Sequence, residues 1–363
     1  MATKRIGISR DLIIHPGETI SDVLEDRGIT QAELASQTGV TPAYISSVIT
    51  GKKGISAKFA FALEYALGVP KTFWMNLQTN YEAELLEADE LQTITDEERT
   101  ARDALKDVVK HLRAKGLLPT GETKDESILS LRKALKISNI ANLKDIAPTG
   151  TFRMAKRPAN PYVLGAWVRM CQISAEKGNV STKFEKDKVD ELVSKVKAVM
   201  TSSPTDMQGE LKELLGQYGI DFSIMQNFAG APVQGYIALK DDETYQMVLT
   251  IRGSYADIFW FSLFHEIGHI VNGDVRKASK FIDYGSDEEK ERSADLFAQD
   301  KLIDSEAYQR FISVKHFDIE TINNFAKEQK IMPYIVIGRM QKEKVIGYRQ
   351  FSDYKLRYKW TLV

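Results

Sequence analysis

Apolar positions near the N-terminus recur three and four residues apart, in short runs that each end at a glycine. Thr19–Arg27 is the first run and Gly28 closes it. Thr30 then caps QAELASQTG, and Glu33 stands three residues on, the spacing of a capping box. Gly39 ends that helix. Thr41 caps the next, TPAYISSVITG, with Pro42 at the first helical position and Gly51 at the end. Ser56–Leu67 is a fourth helix closed by Gly68, and Pro70 opens a fifth, KTFWMNLQTNYEAEL. The pattern predicts a bundle of short helices with tight turns.

Further along, TDEERTARDALKDVVKHLRAKG and ESILSLRKALKI read as helices around the break LLPTGETKDES. PYVLGAWVRMCQISAEKG and DKVDELVSKVKAVM continue the helical pattern. It changes at residue 221, where DFSIMQ, QGYIAL and YQMVLTIRG carry β-branched and aromatic residues between turn signals. These are three expected strands. A helix holding FSLFHEIGHIVNGD follows, with Gly273 as its stop, and DEEKERSADLFAQDKLI is a second strong helix. YIVIGRMQKEKVIGYRQF mixes helix with expected strand. The expected fold is mainly α with a small β-sheet. It divides into an all-α bundle over residues 1–86, a helical connector over 87–150 and an α+β domain over 151–363.

Composition narrows the class. Over 363 residues, 43% hydrophobic and 27% charged content is that of a globular chain with real cores. The net charge of −1 gives no global basic field, so any nucleic-acid contact must come from a local patch. One cysteine, Cys171, excludes an internal disulfide framework and fits a reducing cytosol. The first residues lack the apolar core of a signal peptide, and no apolar run approaches the ~18–20 residues of a membrane span. A cytoplasmic protein with no membrane partner is expected.

Two segments carry chemistry. In ITQAELASQTGVTPAYISSVITGKKG two short helices flank a turn at Gly39, with Ala35, Val40, Ile45 and Val48 as apolar packing positions. This is the organisation of a helix-turn-helix, whose second helix enters the major groove of double-stranded DNA. Thr41, Pro42, Ala43, Tyr44 and Ser47 are the expected base readers. Thr30 and Gln31 begin the preceding helix, where unpaired N–H groups suit a phosphate, and Lys52 and Lys53 lie near the backbone. A protein-binding bundle is the competing reading. The patch is only modestly basic, which points to a homodimer that doubles the contacts.

The second segment is His265-Glu266-Ile267-Gly268-His269. Residues four apart share a helix face, so two imidazoles can meet one Zn²⁺ ion while Glu266 serves as base. Zinc in such a site brings the pKa of a bound water to about 7. A third ligand is required. Glu291 is the candidate, with Asp295 one turn on to accept the outer N–H of a ligating histidine. Cys171, Glu288 and Glu289 are the rivals. Tyr236, Tyr255, Tyr334 and Arg339 are candidate donors to a developing oxyanion.

These motifs also carry resemblances. HEIGH, then Glu291-Arg-Ser-Ala-Asp295-Leu-Phe-Ala and Ile335-Val-Ile-Gly338-Arg339-Met-Gln341, resemble ImmA/IrrE-type metallopeptidases over roughly residues 150–350. The resemblance implies a zincin-like, gluzincin-type fold. His265, His269 and Glu291 would be the zinc ligands and Glu266 the catalytic base. The substrate would be a protein such as a repressor in bacteria or phage. The sequence departs from that pattern at Ser293, where the family often has Glu, and at Asp304, where it usually has proline. IHPGETISDVLEDRGITQAELASQTGVTPAYISSVITGKKGISAKFAFALEYALGVPKTFWMNLQTNYE resembles HigA/VapI-type antitoxins and Xre-type repressors. It implies a dimeric binder of palindromic operators. Together they suggest a DNA-binding regulator, antitoxin-like or repressor-cleaving. Its peptidase would act on a repressor, on a toxin or on the chain itself, with LLPTGETKDES as a candidate self-cleavage segment. The alternative is a non-proteolytic antitoxin or transcription factor whose C-terminal domain senses a metal, ligand or partner.

Overall fold

The computed structural model describes residues 10–146, 159–176, 178, 180–240, 243–251, 253–275 and 288–359. The chain divides into two compact units. The first comprises Met1–Arg99 and Leu118–Ser130, the second Thr100–Leu117 and Leu131–Val363.

In the first unit the helices are α1 (Pro16–Arg27), α2 (Gln31–Thr38), α3 (Pro42–Ile49), α4 (Ala57–Leu67) and α5 (Lys71–Ala88). α1 begins three residues before the expected Thr19. His15 caps it, its Nδ1 accepting from the Gly17 amide at 2.9 Å, and Pro16 sits at the first position. Gly17 is required there: a Cβ would lie 2.1 Å from the Val48 carbonyl oxygen, so α1 crosses α3 almost backbone on backbone. Gly28, Gly39, Gly51 and Gly68 all adopt positive φ at the chain reversals, which glycine does at no steric cost. Ile20, Leu34, Ala35, Ile45, Val48, Leu63 and Trp74 form the buried centre.

Two further helices, α6 (Asp96–Ala104) and α7 (Lys106–Ala114), follow as one run interrupted at Leu105. The Leu105 amide is shared between the Ala101 and Arg102 carbonyls, at 3.0 and 3.1 Å, which tightens the turn locally. α8 (Lys124–Ala134) starts inside the expected break, because Thr123 and Glu126 form a reciprocal cap. The division between units falls within α6 and within α8.

The second unit continues with α9 (Leu143–Ile146), α10 (Pro161–Ala175), α11 (Val189–Ser202) and α12 (Met207–Gln217). Strands β1 (Ile220–Met225), β2 (Gly235–Leu239) and β3 (Tyr245–Thr250) form one sheet in the order β1-β3-β2. β1 runs parallel to β3 from Ile220↔Tyr245, and β2 runs antiparallel to it from Gly235↔Leu249. β2 is therefore an edge. Then come α13 (Ala256–Asn272), α14 (Glu288–Leu302), α15 (Ser305–Ser313), α16 (Ile319–Glu328) and α17 (Pro333–Lys342). α13 packs between the sheet, α14 and α17.

The strand expected in YIVIGRMQKEKVIGYRQF does not form. Pro333 starts a helix there, and Tyr334, Ile335, Val336, Ile337, Met340 and Gln341 are all buried in it. Burial on α13 overrides the strand preference of the β-branched residues. The segment after α17 is held as turns: Gln341 donates to the carbonyls of Tyr348 (3.2 Å) and Gln350 (2.9 Å), and Lys355 pairs with Asp257 at 2.7 Å. Asp304 caps α15 by accepting from the Ala307 amide at 2.7 Å. Among the described residues no helix is long and apolar enough to cross a membrane.

Candidate nucleic-acid interface and candidate metal centre

In the first unit, Ala35, Ile45 and Val48 are buried as the apolar pattern expects, and Val40 packs on their edge. They fix α3 on α2 with the α3 N-terminus outward. Thr41, Pro42 and Ala43 are exposed there, as are Lys52 and Lys53 in the following turn. Two expected readers have local partners. Tyr44 is half-buried edge-on to Phe59, with Lys53 Nζ 5.3 Å from its ring centre. Ser47 Oγ donates to the Ala43 carbonyl at 2.7 Å. Ser46, which the sequence reading passed over, is exposed on the same short helix.

At the α2 N-terminus Thr30 and Gln31 are exposed, and the capping box occupies the Thr30 and Glu33 amides at this end. Thr30 Oγ1 accepts from the Glu33 amide at 3.2 Å, and Glu33 Oε2 accepts from the Thr30 amide at 2.8 Å. That backbone bond, with the Thr30 hydroxyl, holds the Glu33 carboxyl below its ordinary pKa and keeps a negative charge there. Thr30 thus caps its helix, and a phosphate at this end would face a carboxylate.

The second unit builds its cluster where α13 and α14 approach closely. Gly268 permits this: a Cβ there would stand 3.2 Å from Ala294 Cα and 3.1 Å from the Phe297 ring. The approach carries Glu291 to the two histidines. His265 Nε2 and His269 Nε2 are 3.1 Å apart, and the Glu291 carboxylate lies 3.5 Å from the first and 3.3 Å from the second. The ligand atoms of all three lie within 4.8 Å of one another.

Each histidine is oriented from behind. His265 Nδ1 donates to Asp295 Oδ1 at 2.8 Å, and His269 Nδ1 donates to Asp274 Oδ2 at 2.9 Å. Asp274 was missed by sequence reasoning, although an acidic residue just past the helix stop in HIVNGD was a readable signal. With both Nδ1 atoms protonated, both Nε2 atoms direct lone pairs inward beside a carboxylate. Such a donor set requires positive charge at its centre, either a proton or a metal ion. Burial alone would lower the pKa of His265. The hydrogen bonds to Asp295 and Glu291 and the charge of Glu266 outweigh it and raise the value to about 9. His269 is likewise raised against its burial, mainly by Glu291. Burial would raise Glu291, yet the two histidines bring it down to about 2. Two imidazole nitrogens and one carboxylate, each imidazole backed by an acid, are the donor types of a three-ligand zinc site.

Glu266 is buried on the same helix. Its Oε1 stands so near Gly235 that a Cβ on that residue would come within 2.2 Å. The edge strand therefore forms one wall beside the carboxylate. Side chains alternate across a strand, so Tyr236 projects to the opposite face, where it meets Trp167 edge-on at 6.1 Å. The other candidate oxyanion donors are committed too. Arg339 donates to the Gln299 and Ile303 carbonyls, both at 3.2 Å, and Tyr255 is paired with Arg357. Tyr334 is buried in a group with Trp260 and Tyr358. Cys171 lies elsewhere, buried with its Sγ 3.9 Å from Met225 Sδ, and Glu288 and Glu289 are exposed at the start of α14. None of these three rivals belongs to the cluster.

The family described as "Helix-turn-helix" matches residues 20–74. Virulence-associated protein I of Dichelobacter nodosus is 32% identical over 77 residues, which make up 21% of this chain and 71% of that protein. The chain belongs to this helix-turn-helix family. Virulence-associated protein A' of the same organism is 42% identical over 69 residues, 19% of this chain, and the chain spans 60% of its length. An uncharacterized HTH-type transcriptional regulator of Escherichia coli is 29% identical over 63 residues, 17% of this chain and 67% of that protein. Among solved structures, a putative antidote protein of a plasmid maintenance system from Nostoc punctiforme is 34% identical. It covers 23% of this chain and 97% of its own, at a TM-score of 0.20. Likenesses of this extent concern the helix-turn-helix and say nothing of the cluster on α13 and α14.

Proposed function

We propose that the chain is a DNA-binding transcriptional regulator of antitoxin-like type whose second unit is a zinc-dependent peptidase. The helix-turn-helix supports the first half. It would act as a homodimer on operator DNA, with the exposed N-terminus of α3 toward the base edges and Lys52 and Lys53 toward phosphates.

The observation that carries the second half is the convergence of His265, His269 and Glu291 beside a buried Glu266. A divalent metal held by the first three would act as a Lewis acid on a peptide carbonyl and would acidify a water. The remaining roles fall to the protein. Asp295 and Asp274 hold both imidazoles with Nε2 inward. Glu266 would accept the proton of the attacking water and deliver it to the leaving amine. Gly235 leaves room for that carboxylate beside the strand. The substrate would be a protein: a repressor, a toxin or the chain itself.

The test is cleavage of candidate repressor and toxin proteins by zinc-loaded wild type and by Glu266→Gln. Cleavage lost in Glu266→Gln with zinc retained supports the reading. No cleavage of any candidate, with zinc bound in both, favours a non-proteolytic regulator that senses the metal or a partner.

A further inference from the structure

Away from the metal cluster, the second unit contains a cleft of about 550 Å³ between α11, α16 and the start of α17. Three lysines line it, Lys197 from α11 and Lys327 and Lys330 from the α16–α17 junction, together with the polar side chains of Thr201 and Asn323. Ile331 lies in its apolar floor. We propose that this cleft binds a small phosphate-bearing molecule.

Three observations carry the assignment. The lining residues include three ammonium groups and no carboxylate. Like charges that share a cleft repel one another, and an anion among them relieves that repulsion. Second, Lys197 is drawn inward. Its Nζ donates to the Gln329 carbonyl at 3.4 Å, at the C-terminal end of α16. Burial and the charges of Lys330 and Lys301 hold its pKa below the ordinary lysine value, opposed by the nearby Asp300 carboxylate. Third, Pro333 lines the cleft and begins α17, whose N-cap, Met332, makes no side-chain cap hydrogen bond. The positive end of that helix dipole thus adds to the lysines.

Size separates this cleft from a nucleic-acid surface. Clefts of roughly 300–1,000 Å³ suit small ligands. The mixture of lysines with Ile331, Ala198 and Ala326 fits a compact organic body carrying one or two phosphoryl groups. The cleft does not depend on the peptidase reading, since none of its lining residues belongs to the metal cluster.

The test uses the full chain with inorganic phosphate, pyrophosphate and a nucleoside monophosphate as probes. Lysine acylation read by mass spectrometry should show Lys197, Lys327 and Lys330 protected by at least one probe, and exposed Lys212 unprotected. Titration calorimetry should show that probe binding about tenfold more weakly to Lys327→Ala and to Lys330→Ala, as expected for loss of one charged hydrogen bond, and unchanged to Lys212→Ala. Both lysines are exposed, so these variants test the cleft without disturbing the core, and Lys197→Met, which should weaken the same probe, is the half-buried counterpart. Tighter binding of the nucleotide than of pyrophosphate would identify an organic ligand; the reverse would identify a phosphoryl site alone. Equal protection of all surface lysines, or binding unchanged in Lys327→Ala and Lys330→Ala, would overturn the proposal.

Discussion

His265 Nε2 and His269 Nε2 face each other at 3.1 Å, each with its opposite nitrogen bound to an aspartate. Two inward lone pairs so close repel unless a proton or a metal ion is shared between them, and the Glu291 carboxylate beside them favours that positive charge. The consequences of this relationship can be measured.

The first concerns pH. Without a metal the positive charge at the cluster is a proton. His265 rises from 6.5 to about 9 on folding, so its stabilisation is complete below pH 6.5 and disappears as pH rises through about 9. Glu291 falls from 4.5 to about 2, so its share is present above pH 4.5 and disappears as pH falls through about 2. Stripped protein should therefore melt at a lower temperature at pH 9 than at pH 6.5. Zinc-loaded protein should not show this loss, because departing protons favour the metal. Thermal unfolding at both pH values, with and without zinc, is the check. An equal pH dependence in the two forms would mean that zinc does not replace the proton.

Removing the outer carboxylates is the second. Asp295→Asn and Asp274→Asn should each weaken zinc affinity by about 10–100-fold, the usual cost of losing a ligand's orienting partner. Competition with a chromogenic chelator measures it. Unchanged affinity in Asp274→Asn would remove that residue from the site.

Gly235 supplies a third. An alanine there would put its Cβ 2.2 Å from Glu266 Oε1, so the carboxylate must swing away. Gly235→Ala should retain zinc stoichiometry and lose most cleavage of whichever protein proves to be the substrate. Full activity in this variant would show that Glu266 is not needed in its present position.

On DNA, Lys52→Ala and Lys53→Ala should weaken binding for all sequences and lower the salt-dependence slope by about one each. Ala43→Glu should abolish operator binding by placing a carboxylate on the exposed end of α3. Ile45→Ala, fully buried, should destabilise the first unit by about 2–5 kcal/mol. Mobility shifts at several salt concentrations and denaturant unfolding separate the two effects.

Much of this was legible in the sequence because its signals are local. The Thr30, Thr41 and Gly39 signals lie next to the helices they delimit, and two histidines four residues apart define a helix face unaided. Less visible was anything set by distant partners. Gly17 lets α1 meet Val48, a contact between residues far apart in the chain. Nothing local shows that β1 pairs with β3 rather than β2, or that a β-branched run would be buried as α17. The pairing of Glu266 with Gly235 joins a strand to a helix across thirty intervening positions. The packing of Tyr44 on Phe59 was equally invisible, because Phe59 comes from another helix.

The most direct test is zinc stoichiometry by elemental analysis of purified wild type, His269→Ala and Glu291→Ala, each checked for native secondary structure. About one zinc per chain in wild type, lost in both folded variants, is the expected result. Wild type that holds no zinc after loading and removal of excess, or variants that keep it, would contradict a metal centre at His265, His269 and Glu291.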